Sequence, residues 1–429
     1  MPSILLVIVD ALRADLLASP NPAWPRLSTL VESGARFRSA YTTCPTTTPA
    51  VTAMFTGRYP SAHGVRALRG SRLADDIPTI AEELSRGGFR TWCSVTGPLL
   101  DNVGVLRGFA ETEYRDVPER SVHDEWGSRL FERIRASAEA AEPYFGTVHV
   151  WDVHGPRRYP QRYDARRFGR DVYERSVAGI DEWIEHVVEA AGPDTVVVLT
   201  GDHGQNTLLE PRTLAQQRLM RRITRRLPTE RWGSRVLARG VRSPSKRLLR
   251  LAPRQLWPHN QTLFEHLVHV PLVVSGPGIV AGTRSTPVSH VDLAPTFQEL
   301  AGLPEPVPAW PGVSLAGSLR SGDEPPEHPV AMEIGPGAPG GVESVVQQAI
   351  RDGAWKLVTS LEDERVADAL YDLDADPVER RNVAAGHPEI VERLKKRLRE
   401  LLTDRADAVA MAEADDAVLA ARLEELGYL

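Results

Sequence analysis

Four stretches of the chain are apolar and rich in β-branched residues, and three of them run straight into a polar cluster. SILLVIV, from Ser3, leads into Asp10; GTVHVW leads into Asp152 and His154; TVVVLT leads into Gly201, Asp202, His203 and Gly204; VPLVVSG follows at 270–276. Unbroken apolar runs of this length mark strands buried on both faces, as in a parallel sheet covered by helices. Between them the apolar period changes to that of a helix, at Arg26 to Ser33, Pro78 to Arg86, Glu125 to Ala141, Val172 to Ala190 and Leu293 to Ala301. This alternation predicts an α/β fold with a mostly parallel central sheet flanked by helices. Ligands of such sheets sit beyond the carboxyl ends of the strands, where Asp and His are placed here.

Past residue 303 the pattern breaks into LPEPVPAWPG and SGDEPPEHP, then resumes as short strand-like pieces (VVQQAIRDGAWKLVTS, ALYDL) and an amphipathic helix, PEIVERLKKRLRELL. The expected division is a catalytic domain over 1–310, carrying an insertion at 205–258, and a smaller C-terminal α+β subdomain over 328–429.

The 429 residues are enough for both units and a large core. The first apolar run, Ile4 to Val9, is too short to cross a membrane and lacks the flanks of a signal peptide. Cys44 and Cys93 alone make no disulfide framework, so the expected location is cytoplasmic. Oligomeric state is not set by any of these features. Charge adds a second feature. The net value of −6 conceals a block from Gln205 to Pro258 with 13 Arg and one Lys against two Glu.

Asp10, Asp202 and His203, all at strand ends, are suitable donors for one divalent cation, with a hydroxyl as a further oxygen. CPTTTPAV, at 44–51, offers three hydroxyls just before a helix-starting proline. Ser and Thr before Pro usually cap a helix, and that reading stands beside a nucleophilic one. Nucleophile, cation and helix N-terminus together suit attack on a tetrahedral phosphorus or sulfur centre.

These pieces, in this order, resemble the sulfatases and their relatives in the alkaline phosphatase superfamily. The resemblance is carried by LLVIVDALRAD, LSTLVESGARFRSAYTTCPTTTPAVTAMFTGRYPSAHGV, DVHGPRRY, TGDHG, HNQTLFEHLVHVPLVVSGPG, VSHVDLAPTFQELAG and IRDGAWKLVTS with LYDLDADPVERRNV. In that family the catalytic Cys or Ser lies two residues before a Pro and nine before the Thr of T-G-R, which implies Thr47 as nucleophile. Cys44 is out of that register, and Thr46 and Thr48 become cap or spacer residues. The resemblance implies a metal site of Asp10, Thr47, Asp202 and His203, with His154 and His259 as catalytic groups contacting the substrate or protonating the leaving group. A second cation near Asp152 and His154 stays open, while His63 and His290 read as structural.

Departures from the family pattern shift the expected chemistry. Sulfatases oxidise the Cys or Ser to formylglycine, and Thr, with a methyl on Cβ, cannot become an aldehyde. Val51 stands where the motif has Arg, and Ala11 where many members have a second acidic ligand. Thr nucleophiles belong to phosphodiesterase and phosphotransferase branches of the superfamily. The expectation is a metal-dependent hydrolase of a phosphodiester or phosphomonoester acting through phospho-Thr47. Alternatives are a sulfuric ester hydrolase, a soluble phosphotransferase and, outside catalysis, an inactive anion-binding relative. Two carboxylates, an imidazole and a hydroxyl favour Mn²⁺ or Zn²⁺ over Ca²⁺. In the basic block Arg218, Arg221, Arg222, Arg225 and Arg226 form one helical stripe. It is either a dock for an anionic small-molecule or polymer substrate or a lid or dimer helix paired with acidic surface.

Overall fold

The computed structural model describes residues 1–115, 121–207, 210–218, 262–304, 310–335, 346–364 and 366–426. Its main sheet contains β1 (Ser3–Val9), β2 (Ala35–Tyr41), β4 (Arg90–Val95), β5 (Glu111–Tyr114), β6 (Tyr144–Val150), β7 (Thr195–Gly201), β8 (His269–Ser275), β9 (Gly282–Arg284) and β10 (Val288–Ser289). β3 (Ser71–Arg72) lies apart from it. The strand order is β10-β2-β8-β7-β1-β6-β4-β5, with β9 also paired to β2. Only β8 runs antiparallel to its neighbours β2 and β7, so the sheet is mostly parallel, as expected.

β1 occupies the middle, paired in parallel with β6 on one side and β7 on the other. Its side chains alternate between two apolar layers, which is why the run shows no polar position. Ile4, Leu6 and Ile8 join Val51, Met54, Leu84 and Phe297. Leu5, Val7 and Val9 join Leu27, Trp126, Leu130, Ile180 and Trp183. The first layer holds helices α2 (Thr47–Thr56) and α4 (Ile80–Arg86), and the second holds α1 (Pro25–Ser33), α5 (Glu125–Ala138) and α6 (Val172–Ala191); a single turn, α3 (Pro60–His63), follows α2. α4 begins in a reciprocal cap: Thr79 Oγ1 accepts from Glu82 N at 3.2 Å, and Glu82 Oε2 accepts from Thr79 N at 2.8 Å.

The second sheet, β11 (Val330–Ile334), β12 (Gln347–Asp352), β13 (Trp355–Thr359) and β14 (Ala369–Asp372), is antiparallel throughout. Ile350, Leu357 and Leu370 pack against Val391, Leu394 and Leu398 of the helix Pro388–Leu401. A buried ionic cluster fastens this sheet to the first unit. Lys356 Nζ lies 2.8 Å from Glu265 Oε1 and 2.9 Å from Glu379 Oε1, and Tyr41 Oη donates to Glu265 Oε2 at 2.9 Å. The chain then returns: β15 (Val409–Ala410) pairs with β3, and Leu419 and Leu423 of the helix Glu413–Leu426 enter the same apolar layer as Ile4. Among the described residues no helix is long and apolar enough to cross a membrane.

Candidate active site

The three adjacent strands β7, β1 and β6 end side by side, and each delivers a polar group to that edge. Asp10 follows β1 by one residue, Asp202 follows β7 by one, and His149 is the penultimate residue of β6. Asp10 N donates to Val150 O at 2.8 Å, so the ladder continues through the aspartate. Ala11 then takes a left-handed conformation, φ 61°. Its N–H donates to Asp202 Oδ1 at 3.1 Å, and its carbonyl accepts from Tyr173 Oη at 2.8 Å. These bonds hold a backbone shape that a residue bearing a Cβ rarely adopts.

Thr47 opens α2, with Thr46 at the N-cap in extended conformation (φ −148°, ψ 129°). Pro49 in the first turn favours helix initiation, and Gly57 (φ 59°) stops it. All ten residues of α2 are buried, so its start is fixed by packing and not by a side-chain cap; Thr46 makes no capping bond. Thr47 Oγ1 lies 3.3 Å from Asp10 Oδ2 and 3.4 Å from His203 Nε2. Of the three threonines, Thr47 is the one that meets the strand-end groups. Cys44 is buried and its thiol is pushed up to about 12 by that burial, so it carries no thiolate at neutral pH.

Asp10, Asp202 and His203 are fully buried, and their donor atoms all lie within 4.8 Å of one another. Burial, and then the Asp202 charge, push the Asp10 carboxyl well above the usual carboxylate range. Burial acts on Asp202 in the same direction, but His203 and His149 outweigh it and hold that carboxyl down. Asp10 Oδ1 and Asp202 Oδ2 have no hydrogen-bond partner among the described residues. Buried carboxylate oxygens left so are costly unless a cation meets them. His203 Nδ1 donates to Gly204 O at 2.8 Å, which turns Nε2 towards both aspartates at 3.6–3.7 Å. The donor set therefore fits a divalent cation, with Thr47 Oγ1 beside it.

His154, 6% exposed, lies tilted against Trp151 at 4.0 Å between centroids and stands 6.4 Å from the His203 ring. Burial first, then His203 and Arg157, push its pKa well down, so the ring is neutral. Its Nδ1 donates to Gly155 O at 2.8 Å. Asp152 does not face a second cation. Its carboxylate is taken by Arg115 at 2.9 Å, by Ser121 Oγ and by Val122 N at 3.2 Å. His63 accepts from Val65 N at 3.1 Å and His290 Nε2 lies 3.1 Å from Thr200 Oγ1; both rings are buried with pKa near about 3, in keeping with structural roles. His259 lies outside the described residues, as do Arg221, Arg222, Arg225 and Arg226.

Two groups at the site escape the sequence reading. Arg157, 6% exposed, reaches Glu210 Oε1 at 2.7 Å and contributes to the field at Asp10 and His154. His149 is wholly buried beside Asp10 and Asp202. Its only signal in the sequence is a histidine inside the otherwise apolar run of β6.

A family model described as Sulfatase matches residues 2–303, and one described as N-sulphoglucosamine sulphohydrolase, C-terminal, matches residues 255–404. The chain is 28% identical over 451 aligned positions to choline-sulfatase of Rhizobium meliloti (strain 1021), covering 89% of this chain and 82% of that protein. Its likeness to arylsulfatase K of Xenopus laevis, 32% over 151 positions, is local, spanning 34% of this chain and 28% of the relative. Among solved structures, the phosphonate monoester hydrolase of Agrobacterium radiobacter superposes with TM-score 0.66 at 18% identity, covering 94% of this chain and 95% of that one. A 2-O GAG sulfatase gives 0.65 at 19%, covering 94% and 92%.

Proposed function

The chain belongs to the sulfatase family, and from that premise we propose that it is a metal-dependent hydrolase of a phosphate ester acting through a phospho-Thr47 intermediate. The observation that carries this reading is the position of Thr47 Oγ1, 3.3 Å from Asp10 Oδ2 and 3.4 Å from His203 Nε2 at the start of α2. Asp10, Asp202 and His203, with Thr47, would hold the cation; mixed oxygen and nitrogen donors favour Mn²⁺ or Zn²⁺ over Ca²⁺. When bound, the cation lowers the pKa of the hydroxyl and offsets charge on the phosphoryl oxygens.

Thr47 Oγ1 attacks phosphorus, giving its proton to Asp10 Oδ2; the O–P bond forms as the ester P–O bond breaks, and the departing alkoxide takes a proton from water, leaving hydroxide. The helix start at Thr47 and Thr48 would offer backbone N–H groups to the transferred group. Neutral His154 takes the proton of the water that attacks phospho-Thr47; as the Thr47 O–P bond breaks and phosphate leaves, Thr47 Oγ1 recovers its proton from Asp10, and the proton on His154 neutralises the hydroxide left by the first step. His259, from the family register, is proposed as a second substrate contact. The catalytic unit in this reading is 1–310, with 328–429 as a smaller α+β subdomain.

An anionic substrate larger than the phosphoryl group is supported by where the basic block begins. Arg157 N donates to Gln217 Oε1 and Gln217 Nε2 donates to Arg157 O, both at 3.0 Å, so the block enters beside the His154 loop. A sulfuric ester as substrate is the second reading, favoured by the long match to choline-sulfatase.

The test compares metal-repleted protein with Thr47→Ala on nitrophenyl phosphomonoester, phosphodiester, phosphonate and sulfate. Phosphate ester turnover lost in the variant supports the proposal. Preferred turnover of sulfate, or full activity in the variant, overturns it. Absence of any turnover in a chain that retains no stoichiometric cation would instead mark an anion-binding relative, whereas silence with the cation bound would point to a larger anionic substrate.

A further inference from the structure

We propose that His149 is a further nitrogen ligand of the cation, so that the site presents two imidazoles; this rests on the reading that Asp10, Asp202 and His203 hold a cation. His149 is 0% exposed, and neither ring nitrogen has a hydrogen-bond partner among the described residues. Its Nε2 lies 3.6 Å from Asp10 Oδ2 and 3.8 Å from Asp202 Oδ2. These separations are too long for hydrogen bonds. They suit two donor atoms that share one ion at about 2.1 Å each, which stand roughly 3–4 Å apart.

The neighbouring spacings have the same length. Thr47 Oγ1 is 3.3 Å from Asp10 Oδ2, and His203 Nε2 is 3.6 Å from Asp202 Oδ2 and 3.7 Å from Asp10 Oδ1. His149 thus approaches the carboxylates from β6 while His203 approaches from β7, with β1 between them. Ala11, next to Asp10, brings no side-chain donor; only its N–H serves, on Asp202 Oδ1. An imidazole from the adjacent strand supplies the donor that this turn lacks. A histidine kept only for packing would leave two buried polar atoms unpaired, at about 1–3 kcal/mol each. A second imidazole also moves the preference of the site further from Ca²⁺.

The test loads the full chain with Cu²⁺ and counts coordinated imidazoles by pulsed electron paramagnetic resonance, which needs no variant and no turnover. Combination lines from two imidazoles, reduced to one in His149→Gln, are expected. Mn²⁺ retained after dialysis against a chelator should fall, with affinity about 10- to 100-fold weaker in the variant. Circular dichroism and melting of His149→Gln and His149→Phe separate loss of ligand from loss of fold. One imidazole in the wild-type spectrum overturns the assignment while leaving the phospho-Thr47 reading untouched. A wild-type chain that binds no transition metal overturns both.

Discussion

Arg115 and Asp152 form an ion pair of 2.9 Å in which both side chains are 1% exposed, and His154 lies two residues beyond the aspartate. Arg115 also stacks over Trp126 at 4.5 Å. The pair spends its charge on holding the loop after β6 and contributes no atom to the reaction. Arg115→Met should cost about 3–5 kcal/mol of stability by stranding the carboxylate. Asp152→Asn, which keeps the bonds from Ser121 and Val122, should fold and show a lower kcat through a misplaced His154. Thermal melts and steady-state kinetics on the two variants check this; an unchanged kcat in Asp152→Asn counts against a positioning role.

At Thr47 the hydroxyl and the shape can be separated. Thr47→Val keeps the volume at the start of α2 and should lower turnover by roughly a thousandfold or more. Thr47→Ser keeps the nucleophile and should remain active. Intact-mass analysis after mixing with substrate should detect a phosphoryl adduct on the wild type and on Thr47→Ser, and none on Thr47→Val.

The Asp10 carboxyl is destabilised by burial and by Asp202 in the cation-free protein. Asp10→Asn should therefore melt at or above the wild-type temperature in chelator. The order should reverse when Mn²⁺ is added, because wild type gains about 2.7 kcal/mol at a hundredfold excess over Kd and the variant gains little. Differential scanning calorimetry in chelator and in metal tests both signs.

His328 Nε2 lies 3.0 Å from Asp292 Oδ2. Burial works against the charged ring, but the hydrogen bond and charge of Asp292 outweigh it, and the pKa is raised. A raised folded value gives stability that is complete below the unfolded pKa of about 6.5 and is lost as pH climbs through the folded one. Melting temperature should fall as pH rises above about 6.5, and His328→Gln should remove that part of the slope.

Lys356 is 0% exposed between Glu265 and Glu379. Lys356→Met leaves the two carboxylates facing each other and should cost about 3–5 kcal/mol. Adding Glu379→Gln should recover part of the loss, a coupling that a double-mutant cycle in urea measures.

The strands at the centre of the sheet and the helices that cover them are legible because burial on both faces leaves no choice of residue: the periodic segment from Val172 becomes α6 almost to the residue. β2 is harder to read, since ARFRSAY carries arginines that leave the sheet at its partly exposed positions. The fold-back after residue 409 has no local sign, because it is specified by distant partners in the first layer. Asp10, Asp202 and His203 stand out as polar residues at the ends of apolar runs. His149 does not, for it sits within one, and only the strand neighbours of β6 show what it faces.

The C-terminal helix and strand that return to the first layer bear on how the chain is made. Leu419 and Leu423 sit in the same apolar layer as Ile4, and Arg69 and Asp416 are joined by an ion pair. A chain emerging from the ribosome cannot complete its first layer until the helix Glu413–Leu426 has been synthesised. Such distant closure makes folding slow and leaves apolar surface exposed in the interval. A stop placed just before residue 409 would spare every proposed catalytic group and still leave the nascent protein open to aggregation.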